Sequence, residues 1–187
     1  MSTPTVNIPG YAVGTWDIDP IHSDVTITAR HLVGSQVRGR VDDFEGTIET
    51  SENPLDSKVN ATIKATSINT KQPQRDDHIR SADFLDVENH PTITFTSTGL
   101  RVDGDDYELD GDLTLHGVTK PVTLKLEVIG FGPGSQGETR VGFEAKTTVS
   151  RKDFDIRFNA TIEGTGGAVV SDKLEVHLAI EGVLRAA

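Results

Sequence analysis

Six histidines (His22, His31, His78, His90, His116 and His177) have the widest chemical reach of any residues in this chain. An imidazole can ligate a metal or move a proton near neutral pH. Metal sites favour two such ligands on one helix face or at alternate strand positions, as in HxH or HExxH. Neither spacing occurs here. Folding could still gather His22, His31 and His116, and a metal centre or an enzyme built on those three is one reading of them. The other is that the imidazoles bond loop carbonyls and fix turns. Cysteine is absent, which removes thiolate nucleophiles, disulfides and zinc–thiolate sites together. No serine sits in a GxSxG elbow, so nucleophilic catalysis has no support. The carboxylate pairs Asp42-Asp43 and Asp105-Asp106 fall at expected turns, where water solvates them. Gly132-Pro133-Gly134-Ser135-Gln136-Gly137 matches GxGxxG. A dinucleotide site needs that motif between a strand and a helix, whereas residues 140–150 alternate as a strand. It reads as a hairpin loop.

The elements that would position these groups are strands. Thr, Val and Ile supply over a quarter of the chain, and β-branched side chains pack well on a pleated surface. Val25, Ile27 and Ala29 alternate with polar neighbours. So do Val59, Ala61, Ile63 and Ala65; Tyr107, Leu109, Gly111, Leu113 and Leu115; Val122, Leu124, Leu126 and Val128; and Leu174, Val176, Leu178 and Ile180. Period two with one wet face predicts antiparallel strands, each burying one side. Turns are expected at Asp103-Gly104-Asp105 and His116-Gly117, with a longer loop over 130–137. One stretch, 74–85, lacks alternation, and Asp76, Ile79 and Asp83 stand at helical spacing there, which predicts a short helix. Residues 1–13 read as a flexible N-terminal arm and 14–187 as one domain.

The pattern therefore predicts an all-β fold of about eight or nine antiparallel strands with one short helix insert. A closed barrel and a sandwich both satisfy it. In a barrel, small inward residues such as Ala29, Ala61, Ala65, Gly111 and Ala145 would leave apolar space unfilled, a place for an apolar ligand. In a sandwich the two sheets would interdigitate and leave none.

Charge narrows the partners. Eighteen basic against 29 acidic residues give a net charge of −11, which lacks the basic face that nucleic acid or an anionic bilayer requires. No apolar run approaches the length of a spanning helix, so an integral membrane protein is not expected. Residues 1–7 carry neither a basic nor an apolar leader segment, which predicts a cytoplasmic protein.

Four motifs run in order along the chain. Asp19-Pro20-Ile21-His22-Ser23 leads through a strand to His31, Gly39 and Phe44-Glu45-Gly46. Ser67-Ile68-Asn69-Thr70 precedes Arg75-Asp76-Asp77-His78-Ile79-Arg80-Ser81-Ala82-Asp83-Phe84-Leu85-Asp86. His90-Pro91-Thr92-Ile93-Thr94-Phe95-Thr96-Ser97 follows, then Gly111-Asp112-Leu113-Thr114-Leu115-His116-Gly117-Val118-Thr119-Lys120-Pro121-Val122. Over about residues 14–185 this resembles the YceI-like family of polyisoprenoid-binding proteins.

The resemblance implies a lipocalin-like antiparallel β-barrel whose apolar tunnel takes a polyisoprenoid, such as a quinone or polyprenyl lipid, or another long-chain or fatty lipid. It implies a carrier, with roles in transport or storage, and no catalysis, required cofactor or metal. A homodimer would be compatible with it. Many members are periplasmic, from which this N-terminus departs. Asp155 follows Arg151-Lys152-Asp153-Phe154 where the family usually has glycine, and Ile27 and Val41 stand where aromatics are common. Within such a tunnel the lining falls to Ile27, Ala29, Ile63, Phe95, Leu113, Leu115, Val122, Leu124, Phe143 and Val149. Phe84 and Phe154 would stand at its mouth. Arg75, His78 and Arg151 could supply donors to a polar head group.

Overall fold

The computed structural model describes residues 6–32, 34–160 and 169–186. In chain order the strands are β1 (Gly14–Ile18), β2 (Asp24–His31), β3 (Ser35–Val41), β4 (Phe44–Thr50), β5 (Lys58–Lys64) and β6 (Ile68–Asn69). Helix α1 (Pro73–Arg80) follows, then β7 (Thr92–Asp103), β8 (Asp106–Leu115), β9 (Val118–Pro133), β10 (Thr139–Ser150) and β11 (Val170–Leu184). Eight of them close an antiparallel ring in the order β1-β4-β5-β7-β8-β9-β10-β11, sealed by β11 against β1. The fold is a closed barrel, not a sandwich.

The ring branches at β11, whose length lets it serve two partners. Its C-terminal end pairs with β1, matching Trp16 to Leu184, and its N-terminal part pairs with β2, matching Ala29 to Leu174. Strands β1 and β2 therefore lie end to end along one long neighbour. At the β2 end the wall continues through β3 to β6, where Val41 faces Ile68.

Helix α1 lies beside this extension. Gln72 caps it by accepting from the Arg75 amide, Pro73 fits the first turn, and Ile79 packs against the buried cluster formed by Val25, Val41, Phe44, Ile68 and Ile180. It is shorter than the sequence predicts. The Ser81 amide and hydroxyl both donate to the His78 carbonyl and end it, at 3.1 and 2.6 Å. Asp83 lies beyond, in a turn that folds its carboxylate back to His78.

His116 and Gly117 both have positive φ, 55° and 72°, the pair a tight hairpin turn requires. The GxGxxG segment is split between the end of β9 and a turn into β10, so the longer loop expected over 130–137 shrinks to the few residues after Pro133. With no helix following, it is no dinucleotide cradle. Asp155 adopts a left-handed φ of 59°, the conformation for which glycine is preferred, and its carboxylate pairs with Arg157 at 2.7 Å.

The far end of the barrel is plugged. Trp16 is fully buried, packs with Ile48 and Val141, and donates from Nε1 to the Thr50 hydroxyl at 2.9 Å. Phe131 meets Trp16 edge-on, and Tyr11 meets Phe131 in the same way. Of the expected arm, residues 1–5 lie outside the described residues. The Tyr11 hydroxyl donates to the Ser51 carbonyl at 2.6 Å. No helix among the described residues is long and apolar enough to cross a membrane.

Candidate ligand cavity

Alternation places one parity of side chains inside the barrel, and these residues enclose a cavity of about 410 Å³. That is within the few hundred cubic ångströms typical of small-molecule sites. It begins beside the Trp16 plug at Ile18, Val59 and Phe143, and reaches the α1 end at Arg30, His31, Arg75, His78, Phe158 and Val169. Arg30, Arg75 and His78 are exposed, so the cavity meets water there. The wall between is almost wholly hydrocarbon.

Ile27, Ala29, Ile63, Phe95, Leu113, Leu115, Val122, Leu124, Phe143 and Val149 all border this one space. Ile27 and Val41, the aliphatics at aromatic positions, border it too. The small residues behave differently from one another. Ala29, Ala61 and Ala145 line the cavity, whereas Ala65 and Gly111 do not. Ala65 leaves the strand for a 3-10 turn and packs beneath Ile93 and Phe154. The volume at Gly111 is taken by the Phe95 ring.

Of the five residues expected at the mouth, Arg75, His78, Phe84 and Arg151 border the cavity. Phe154 does not. It is buried with Ala65, Leu115, Val149 and Ile156, because the 3-10 turn Arg151–Phe154 directs it into the core. The aromatic that stands at the mouth instead is Phe158, in edge contact with Phe84 and His78 at centroid distances of 5.2 and 5.0 Å. Phe154, Ile156 and Phe158 alternate, and that signal was available in the sequence.

The polar groups differ in how far they are committed. Arg75 donates from Nε to the Thr70 hydroxyl at 2.8 Å and from Nη2 to the Thr70 carbonyl at 2.9 Å. Asp76 holds the same Thr70 through its amide and hydroxyl, so the two neighbours converge on Thr70 instead of pairing with each other. One edge of the Arg75 guanidinium remains at the rim. His78 Nε2 lies 2.8 Å from Asp83.

Arg151 is 2% exposed and is spent internally. Its guanidinium donates to the carbonyls of Ser171, Ile156, Phe158 and Val170. Burial pushes its pKa below the ordinary arginine range, opposed by the nearby Asp172 charge. Its geometry serves to tie the 156–158 segment, and with it Phe158, to the start of β11.

The trio His22, His31 and His116 is not assembled. His22 precedes β2 and His31 ends it, and eight residues at about 3.3 Å each hold them at opposite ends. His22 is engaged by Asp19 at 2.7 Å, and His116 packs against His90.

Comparison with known proteins agrees with this architecture. A family model described as a YceI-like domain matches residues 16–182. Protein YceI of Escherichia coli is 44% identical over 163 residues, covering 87% of this chain and 82% of its own. The crystal structure of Burkholderia cenocepacia BcnA superposes with a TM-score of 0.75 at 19% identity, covering 88% of this chain and 98% of that one. A structure described as a polyisoprenoid binding domain from Saccharophagus degradans, implicated in plant cell wall breakdown, gives 0.70 at 15% identity, covering 93% and 100%.

Proposed function

The chain belongs to the YceI-like family, and from that premise we propose that it is a non-catalytic binding protein that sequesters a polyisoprenoid or other long-chain lipid. The observation that carries this reading is the apolar cavity, closed at Trp16 and open at α1. A prenyl or acyl tail offers only hydrocarbon surface, and burying it is worth about 0.8 kcal/mol per methylene before entropy is subtracted. No directional chemistry is needed to hold it. The head group stays at the α1 rim, where the Arg75 guanidinium offers donors that the wall lacks and His78, whose Nε2 is turned to Asp83, stands beside it. Sequestration of the tail from water is the whole mechanism, which suits a carrier.

Native mass spectrometry of freshly purified protein, followed by organic extraction, tests the reading. One adduct per chain that extracts as a polyprenyl or other long-chain lipid is the expected result. A clean apo mass that takes up no added prenylated quinone would overturn it.

A further inference from the structure

The turns around the α1 end bring together three side chains that the lipid reading does not use. Asp86, His90 and His116 each place one potential ligand atom within 4.8 Å of the other two. We propose that these three residues form a binding site for a divalent transition-metal ion of the Zn²⁺ class.

The backbone builds the site locally. The amides of Asn89 and His90 both donate to the Asp86 carbonyl, at 3.1 and 2.8 Å, so Asp86 and His90 sit four residues apart on one tight turn. The Asn89 side-chain amide reaches both Asp86 carboxylate oxygens, at 3.2 and 3.0 Å, and fixes that group in place. His116 arrives from the β8–β9 turn, and the β7–β8 register delivers it. A β-carbon on Gly117 would lie 2.7 Å from the His90 ring, so the glycine lets the imidazole settle on the turn that carries its partner.

Contrast with the other histidines sharpens the assignment. His22 and His78 each contact their aspartate directly, at 2.7 and 2.8 Å. His90 Nε2 stands 4.0 Å from Asp86 Oδ2, too far for a hydrogen bond. A gap remains between the donors, of the size an ion spans. His116 Nδ1 lies 3.1 Å from the Phe154 carbonyl, an outer partner that fixes the tautomer and leaves the Nε2 lone pair to a metal.

Two imidazoles and one carboxylate suit zinc and its neighbours better than calcium or magnesium, which favour all-oxygen shells. Ligand bonds of about 2.1 Å in a tetrahedron bring donors to about 3.4 Å, so binding draws these partly exposed side chains inward by about an ångström. Leu85 and Leu115, the neighbours of two ligands, line the lipid cavity. The ion would staple the segment after α1 to the barrel rim.

Tag-free protein, stripped with chelator, is titrated with Zn²⁺ by calorimetry, and Co²⁺ replaces it for visible absorption. The expected result is one ion per chain, with His90→Gln and His116→Asn each weakening binding at least tenfold and abolishing the Co²⁺ bands. Asn tolerates the left-handed turn at 116, and circular dichroism checks that each variant is folded. His22→Gln and His177→Gln leave binding unchanged. Absence of stoichiometric binding to the wild type, or affinity unaltered by both substitutions, would overturn the assignment. Lipid uptake is scored separately, so the two proposals fail independently.

Discussion

The Phe95 ring occupies the space that a β-carbon on Gly111 would need, reaching across from β7 to β8. The glycine therefore does not widen the cavity; it seats an aromatic wall residue. A methyl at Gly111 would also meet the Thr96 carbonyl at 2.8 Å, a backbone atom that cannot swing aside. Gly111→Ala should cost about 1–3 kcal/mol, the usual range for overpacking, and push Phe95 into the cavity. Urea denaturation reads the first effect and lipid uptake the second. A variant that keeps both at wild-type levels would mean that the ring does not depend on the glycine.

Arg151 holds four carbonyls from two segments with one planar group. Removing it leaves buried acceptors unpaired, at about 1–3 kcal/mol each where water cannot reach them. Arg151→Lys keeps the charge but loses the fork, since one ammonium cannot span Ile156, Phe158, Ser171 and Val170. Both Arg151→Ala and Arg151→Lys should lower the urea midpoint strongly. Raised hydrogen exchange over residues 156–158 should accompany the loss. Full rescue by lysine would show that the site needs charge alone.

Acid sensitivity has a named source at the opposite end of the barrel. Asp19 accepts from His22, from Arg140 and from the backbone N–H of Ile21, and these hydrogen bonds hold its pKa at about 2, against an ordinary 3.8. A carboxylate whose folded pKa is depressed contributes stability above its unfolded value and loses it as pH falls to the folded one. That window runs from about pH 4 down to about pH 2. Asp110, held at about 2 chiefly by Arg101, adds to the same limb. Urea midpoints of the wild type should fall across this window, and Asp19→Asn should flatten the fall while lowering the midpoint at pH 6. An unchanged acid limb would exclude Asp19 as its source.

Period-two alternation made the barrel wall readable, because a strand shows only one face to the interior. Alternation puts Leu113 with Leu115 on one face of β8 and Val122 with Leu124 on one face of β9, but it does not distinguish a barrel from a sandwich, and their common place in a tunnel lining rests on the family resemblance. Ring closure depends on β11 serving both β1 and β2, a long-range pairing without a local signature. Helical spacing at Asp83 extends the expected helix past its true end, while the stop is written in the Ser81 hydroxyl. Arg151 opens a run of three charged residues, Arg151-Lys152-Asp153, that suggests a group free to meet a ligand, and only the folded chain shows the carbonyls that occupy it. The juxtaposition of His90 and His116 was equally hidden, since 25 residues and a hairpin register lie between them. The grouping of His22 with His31 failed on strand rise, a constraint the sequence did contain.

Ala29 offers the sharpest separation of a carrier from a merely hollow barrel. It lies on β2 opposite Leu174, its side chain borders the cavity, and the space before it is open rather than packed. A large residue there fills volume that a ligand would use, so the overpacking cost of a close-packed core does not apply in full. Ala29→Trp should leave the melting temperature within a few degrees of the wild type and reduce uptake of a prenylated quinone at least tenfold. Binding is followed by quinone absorbance after gel filtration, with circular dichroism melts run in parallel. A large drop in stability with uptake intact would place position 29 in packed core and put the ligand elsewhere. Loss of uptake in a stable variant ties the function to this cavity, because nothing but the occupied volume has changed.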